Sequence, residues 1–133
     1  LEECSKYLNA KFVDPNHKEL KENGFDIIFD TVGLEVSRNQ AIHTIAPGGV
    51  IVHVGLTQST GSFNFKKLTI QEIIVVGTYC YTNKDFKKAI NILAQKKIGS
   101  LKWIEYRELK NGAAAFNDIH NASCIAPKII LIP

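Results

Sequence analysis

The chain has no methionine anywhere in its 133 residues. Leu1 is therefore not an unprocessed initiator, and Leu1, Cys4 and Leu8 already follow helical spacing with no capping residue ahead of them. We expect the chain to begin inside a helix, as the later part of a longer protein. Cysteine is scarce: Cys4, Cys80 and Cys124 are an odd number, widely spaced, with no CxxC pair. That argues against a disulfide framework or a zinc knuckle and for a reducing, cytoplasmic setting. No apolar run is long enough to span a bilayer, and no charged segment followed by an apolar one stands at the start, so no membrane association is expected. The net charge of +3 is modest, and its lysines fall in scattered pairs, Lys66-Lys67, Lys87-Lys88 and Lys96-Lys97. Without a basic stripe interleaved with aromatics, nucleic acid is not an expected partner. There is no HExxH, GxSxG, Walker loop or GxGxxG.

Hydrophobic residues at 45% and charged residues at 22% describe an ordinary globular chain of one-domain length. Its organising stretch is Phe25 to Gly55. Phe25 to Asp30 is an apolar run closed by Thr31-Val32-Gly33 and lacks polar alternation, as a strand covered on both faces should. Leu34, Arg38, Ala41, Ile42 and Ile45 then follow 3.6-residue spacing, with the stem of Arg38 free to lie along the apolar face. Pro47-Gly48-Gly49 stops that helix, and Val50 to Val54 resumes a β-branched run. Strand, helix and strand of these lengths predict a parallel βαβ unit.

Ligands of open parallel sheets bind beyond the carboxyl ends of the strands. Here those ends carry Gly33 and Gly55, where a missing Cβ would let backbone approach a flat ligand. We therefore place a cofactor there. Taken alone, each glycine is equally consistent with a turn or a strand end.

Elsewhere, Leu1 to Asn9 reads as the end of an amphipathic helix, Lys11 to Asp14 as a short strand, and His17 to Asn23 as a polar turn. Thr57 to Ser62 reads as a covering loop, and Phe63 to Gln71 as a short helix with Phe65, Leu68 and Thr69 inward. Glu72 to Gly77 is expected to be a third buried strand beside the second. Thr82-Asn83-Lys84-Asp85 resembles a capping box. It opens a helix over Asn83 to Lys97 with Phe86, Ala89, Ile90, Leu93 and Ala94 on its apolar face, and Gly99 ends it. Trp103 to Leu109 predicts a strand, Lys110 to Asn121 a helix packed through Ala113, Phe116 and Ile119, and Pro127 to Ile132 a final buried strand.

The four histidines, His17, His43, His53 and His120, have no carboxylate or second histidine at ligand spacing. His43 is expected to be exposed, and His53, inside a strand run, packed and hydrogen-bonded. Cys80, between Tyr79 and Tyr81, has no basic sequence neighbour to lower its pKa and reads as a small hydrophobe rather than a nucleophile. No catalytic residue and no metal ligand is assigned.

The order of FDIIFDTVG, a helix ending in APGGVIVHVGL, EIIVVGTY, YTNKDFKKAINILAQKKI and the terminal AAAFNDIHNASCIAPKIILIP resembles the C-terminal part of the medium-chain dehydrogenase/reductase family, in its zinc-type alcohol dehydrogenase branch. The likeness covers nearly the whole chain. It implies an α/β fold with an incomplete Rossmann-like parallel sheet and flanking helices. Residues 1–78 would be a partial nucleotide-binding domain and 79–133 a segment returning to the catalytic domain. It implies NAD or NADP as cofactor, zinc in the parent protein with no ligand in this segment, and a small alcohol or carbonyl substrate. By the resemblance, Thr31, Val32 and Gly33 would line the ribose and adenine side. Val54, Gly55 and Leu56 would approach the nicotinamide, with the Val54 carbonyl accepting from its carboxamide. Thr78, Tyr79 and Cys80 would offer backbone groups to that carboxamide, and Lys128 would meet the pyrophosphate. The resemblance also implies a homodimer joined along Glu72 to Gly77. The glycine fingerprint, the residue choosing NAD or NADP, the zinc ligands and the proton relay are missing, so this segment alone should be inactive.

Two rivals remain at this point. A methyltransferase using S-adenosylmethionine reads the same way through FDIIFD and PGGVIVHVG, but should continue into a helix and an antiparallel hairpin. A non-catalytic nucleotide-binding module would need a natural beginning, which an uncapped helical start does not supply.

Overall fold

The computed structural model describes residues 20–99 and 101–133, together with Lys11, Val13 and Asp14. The expected helix from Leu1 to Asn9, Phe12 of the expected strand and residues 17–19 of the expected turn lie outside the described residues; Lys11, Val13 and Asp14 are not in a strand, and Glu22 and Asn23 form a turn. Two compact units emerge, Asp14–Tyr81 and a second containing Thr82–Pro133.

The first unit is built from β1 (Phe25–Asp30), α1 (Glu35–Thr44), β2 (Ile45–His53), α2 (Phe65–Ile70) and β3 (Ile74–Gly77). The strands lie in the order β1-β2-β3, and both pairs are parallel, so the predicted βαβ unit and the placement of the third strand beside the second are found. Register puts Ile28, Ile51 and Val75 in one row and Asp30, His53 and Gly77 in another, and alternation places both rows on one face. Over that face α1 contributes Ala41 and Ile42, and the core is completed by Ile45, Ile51 and Ile73 with Ile28, Phe63 and Leu68 packed against it. Ile45 is wholly enclosed, a burial worth about 1.5–3 kcal/mol.

The sequence expectation of a sheet covered on both faces does not hold. Ile27 and Phe29 are 58% and 64% exposed, and Ile74 and Val76 on the same face are also open. β3 is accordingly an exposed edge strand, not a buried one. The helix-to-strand junction also differs: Ile45, expected in the helix, already pairs with Phe25, and the register shifts between Phe25 and Ile27. Pro47 to Gly49 thus lie within an irregular stretch of β2, where Gly48 takes φ +73° and donates to the Gln71 carbonyl at 2.8 Å. In α2 the inward residue is Leu68, with Phe63 just ahead of the helix, while Phe65 and Thr69 are exposed. Asn64 Oδ1 caps the helix by accepting from Lys67 N–H at 2.9 Å, so it starts two residues later than expected.

The second unit contains α3 (Asn83–Ala94), β4 (Ile104–Glu108), a 3₁₀ turn (Leu109–Asn111), α4 (Gly112–His120) and β5 (Lys128–Ile132). The expected capping box opens α3: Thr82 Oγ1 accepts from Asp85 N–H at 3.2 Å, and Asp85 Oδ2 accepts from Thr82 N–H at 3.0 Å. Its apolar face is open, with Phe86, Ile90 and Leu93 exposed. β4 and β5 pair in parallel across α4. That helix packs through Ala115; Phe116 and Ile119 are exposed, contrary to the sequence reading. β5 is half-buried in alternation, with Ile129 and Leu131 inward.

Candidate nucleotide-binding site

Asp30 ends β1 and is only 4% exposed. Its Oδ1 accepts from Val32 N–H at 3.1 Å and Gly33 N–H at 2.9 Å, and lies 2.9 Å from Ser37 Oγ at the start of α1. Its Oδ2 is 3.1 Å from Nδ1 of His53, the cross-strand neighbour on β2. Burial pushes this carboxyl up, but the hydrogen bonds from Gly33, Ser37 and Val32 and the nearby His53 ring outweigh it, holding the group below the ordinary aspartate range. Its backbone carbonyl accepts from both Val54 N–H at 2.9 Å and Gly55 N–H at 3.0 Å. His53 is therefore packed and hydrogen-bonded, as expected, and His43 is exposed.

Around this group the carboxyl ends of β1, β2 and β3 bring Thr31, Val32 and Gly33 together with Val54, Gly55 and Leu56, and set Thr78, Tyr79 and Cys80 after the third strand. Thr78 N–H bonds the His53 carbonyl at 3.0 Å, and Thr57 Oγ1 donates to the Val32 carbonyl at 2.6 Å. Val32, Val54, Leu56 and Tyr79 are all exposed there, giving an apolar rim on which a flat ring can lie. Cys80 is exposed and takes φ +55°. Lys128 stands in the other unit, as the first residue of β5.

Both glycines also have a structural task that the sequence reading did not name. They are buried, and each occupies the space where the other's side chain would go. Arg38 has a role at its tip that the sequence reading did not give it: its guanidinium donates to the carbonyls of Gly33 and Gln58, each at 3.0 Å, and to Thr60. Glu35 Oε1 accepts from Ser62 N–H at 2.9 Å, and Glu35 N–H donates to Gln58 Oε1 at 2.9 Å. Residues 57–62 are thus tied down over the start of α1. A cavity of ≈ 320 Å³ remains between that loop, Arg38, His53 and Leu56. Another, of ≈ 330 Å³, runs along β1 past Asp30, Thr31 and Val32.

Sequence reasoning missed Asp30, Ser37, Arg38 and Glu35 as shaping residues. The available signal was a charged residue closing an apolar strand directly before a Thr-Val-Gly turn.

Three adjacent parallel strands with ligand-sized space beyond their carboxyl ends define a Rossmann-like α/β fold. Comparison with known proteins agrees. A family model described as zinc-binding dehydrogenase matches residues 3–95, and the chain belongs to that family. D-xylulose reductase A of Aspergillus oryzae is 28% identical over 134 residues, covering 92% of this chain and 36% of that protein. Among solved structures, L-idonate 5-dehydrogenase of Escherichia coli superposes with a TM-score of 0.76 at 26% identity, covering 91% of this chain and 36% of that one. Acetophenone reductase of Geotrichum candidum, solved in complex with NAD, gives 0.72 at 15% identity, covering 84% and 32%. The chain spans about a third of the length of these relatives. The parallel β4-α4-β5 arrangement replaces the antiparallel hairpin that the methyltransferase alternative required.

The family's name raises zinc, and these residues do not fit it. Among the described residues no group of three or more His, Cys, Asp or Glu could hold a metal ion. No described helix is long and apolar enough to cross a membrane.

Proposed function

We propose that this chain is the later part of the nucleotide-binding domain, followed by the segment returning to the catalytic domain, of an NAD(P)-dependent dehydrogenase acting on a small alcohol or polyol and its carbonyl counterpart. The division falls near residue 79, in a cytoplasmic protein. The observation that carries the reading is the convergence of three turns, Thr31–Gly33, Val54–Leu56 and Thr78–Cys80, at the carboxyl ends of three adjacent parallel strands.

The nicotinamide ring supplies the hydride chemistry when bound. This chain's residues bind and orient. Thr31, Val32 and Gly33 line the ribose and adenine side. Val54, Gly55 and Leu56 form the wall against the nicotinamide, where the Val54 carbonyl accepts from the carboxamide. Thr78, Tyr79 and Cys80 complete that wall through backbone groups. The apolar side chains of Val32, Val54 and Leu56 exclude water from the ring's face.

The exposed β3 edge supports a homodimer joined along Glu72 to Gly77. Titration of the full-length protein with NADH and NADPH, read by quenching of intrinsic fluorescence, tests the cofactor assignment. Saturable binding of one of them, with alcohol-dependent reduction of its oxidised form, is expected. Binding of S-adenosylmethionine in their place would overturn it. The 133 residues by themselves should oxidise no alcohol.

A further inference from the structure

We infer that Asp30 is the positioning residue for both cofactor-facing turns after β1 and β2, with His53 as its clamp. This inference rests on the cofactor reading above. The side chain of Asp30 fixes the first turn by drawing in Val32 N–H, Gly33 N–H and Ser37 Oγ, at 3.1, 2.9 and 2.9 Å. Its carbonyl oxygen fixes the second by accepting from Val54 and Gly55 N–H at 2.9 and 3.0 Å. One residue thus sets the spacing between two backbone segments that come from different strands. His53 Nδ1, 3.1 Å from Oδ2, holds the carboxylate plane so that Oδ1 stays aimed at the Val32-Gly33 turn.

The chemistry of the group suits this task better than a purely structural one. A buried carboxylate is costly unless it is well hydrogen-bonded, and apolar residues would pack the end of a strand as well. A carboxylate accepting several N–H groups does what an apolar residue cannot: it holds consecutive amides in one concave turn. Asp30 itself is almost fully enclosed, whereas Val32 and Val54 beside it are open to a ligand. It therefore acts through the turns, not by contact.

The test uses the full-length enzyme and separates cofactor affinity from turnover. Asp30→Asn preserves shape but removes the charge. It should raise the cofactor Kd and KM roughly tenfold or more, the scale of losing charge-assisted hydrogen bonds. The alcohol KM and kcat at saturating cofactor should move much less. If that variant does not fold, the His53 pair decides. His53→Leu removes the donor to Oδ2 and should weaken cofactor binding. His53→Asn retains a side-chain N–H near the same place and should recover most of the loss. A wild-type enzyme that binds neither NADH nor NADPH overturns the function and this role together. Wild-type binding accompanied by unchanged cofactor Kd in folded Asp30→Asn, or in both His53 variants, overturns the positioning role alone, even where melting temperatures fall.

Discussion

Gly33 and Gly55 face each other across the carboxyl ends of β1 and β2 so closely that neither has room for a side chain. A Cβ on Gly33 would fall 2.3 Å from the Gly55 carbonyl oxygen, and one on Gly55 would fall 2.2 Å from the Val32 carbonyl carbon. Backbone atoms, not movable side-chain tips, stand in the way. Gly33 also adopts φ +75°, where an L side chain costs about 1–2 kcal/mol even without a clash. Gly55→Ala should therefore destabilise the first unit by about 3 kcal/mol or more, at the upper end of overpacking effects. Gly33→Ala should cost at least as much. Because both substitutions push the same two loops apart, the double variant should lose less than the sum of the singles. Denaturant midpoints of the four proteins in this cycle measure it, and full additivity would show that the two turns do not share one contact.

The acid limb of stability should carry the signature of Asp30. Its carboxyl is held below the ordinary value by hydrogen bonds present only in the folded chain. A depressed folded value means that the stabilisation is complete above the unfolded aspartate value of about 3.9 and is lost as pH falls through the folded value. Glu35, Asp85, Glu105 and Asp118 are depressed too, so the wild-type decline on acidification is shared. The contribution of Asp30 appears in the difference between wild type and Asp30→Asn. That gap should be widest near neutral pH and should close on acidification below the unfolded aspartate value. Thermal melts across the acid range test this, and a gap that does not change with pH would show that the buried carboxylate is not ionised at neutrality.

How much of this was legible beforehand follows from how local each signal is. The β-branched runs Ile27-Ile28 and Val50 to Val52, bounded by glycine, announce parallel strands because periodicity and punctuation are properties of neighbouring residues. The capping box at Thr82 is equally local. Asp30 and His53 are 23 positions apart, and only the strand register that pairs them shows that one holds the other. Arg38 illustrates a second difficulty. Its spacing on α1 is right for a stem lying on an apolar face, yet the carbonyls of Gly33, Gln58 and Thr60 offer its guanidinium better partners, and they come from loops whose course the sequence does not state. Faces were misread on α2 and α4 for a third reason. Spacing shows which residues share a face of a helix, not which face meets the core, and that choice is made by elements distant in sequence.

Thr82 is the simplest test of the second unit. Its hydroxyl and the Asp85 carboxylate satisfy each other's backbone N–H groups at the start of α3, a helix that buries none of its residues. Thr82→Ala should lower stability by about 1 kcal/mol, and Thr82→Ser should restore most of it, as expected for an N-cap hydroxyl. Hydrogen exchange at the first amides of α3 should speed up in the alanine variant while exchange in β1 and β2 stays unchanged. Equal acceleration in both units would indicate that they open as one.

The open edge at β3 makes the last prediction. Ile74 is 54% exposed on a strand with only one described neighbour, β2. Two copies joined edge to edge about a twofold axis would extend the sheet, and residues facing each other across such a seam include equivalent positions from both chains. Ile74→Lys puts two ammonium groups close together on one face of that seam, and like charges placed opposite each other on a sheet repel. Lysine is also a residue that natural edge strands use to refuse a partner. Wild-type full-length protein should sediment as a dimer at micromolar concentration and the lysine variant as a monomer. A lysine on the exposed helix α3, at Asn91, should leave the dimer intact. Sedimentation velocity distinguishes the outcomes, and a wild-type monomer, or an Ile74→Lys dimer as tight as the parent, would remove β3 as the subunit contact.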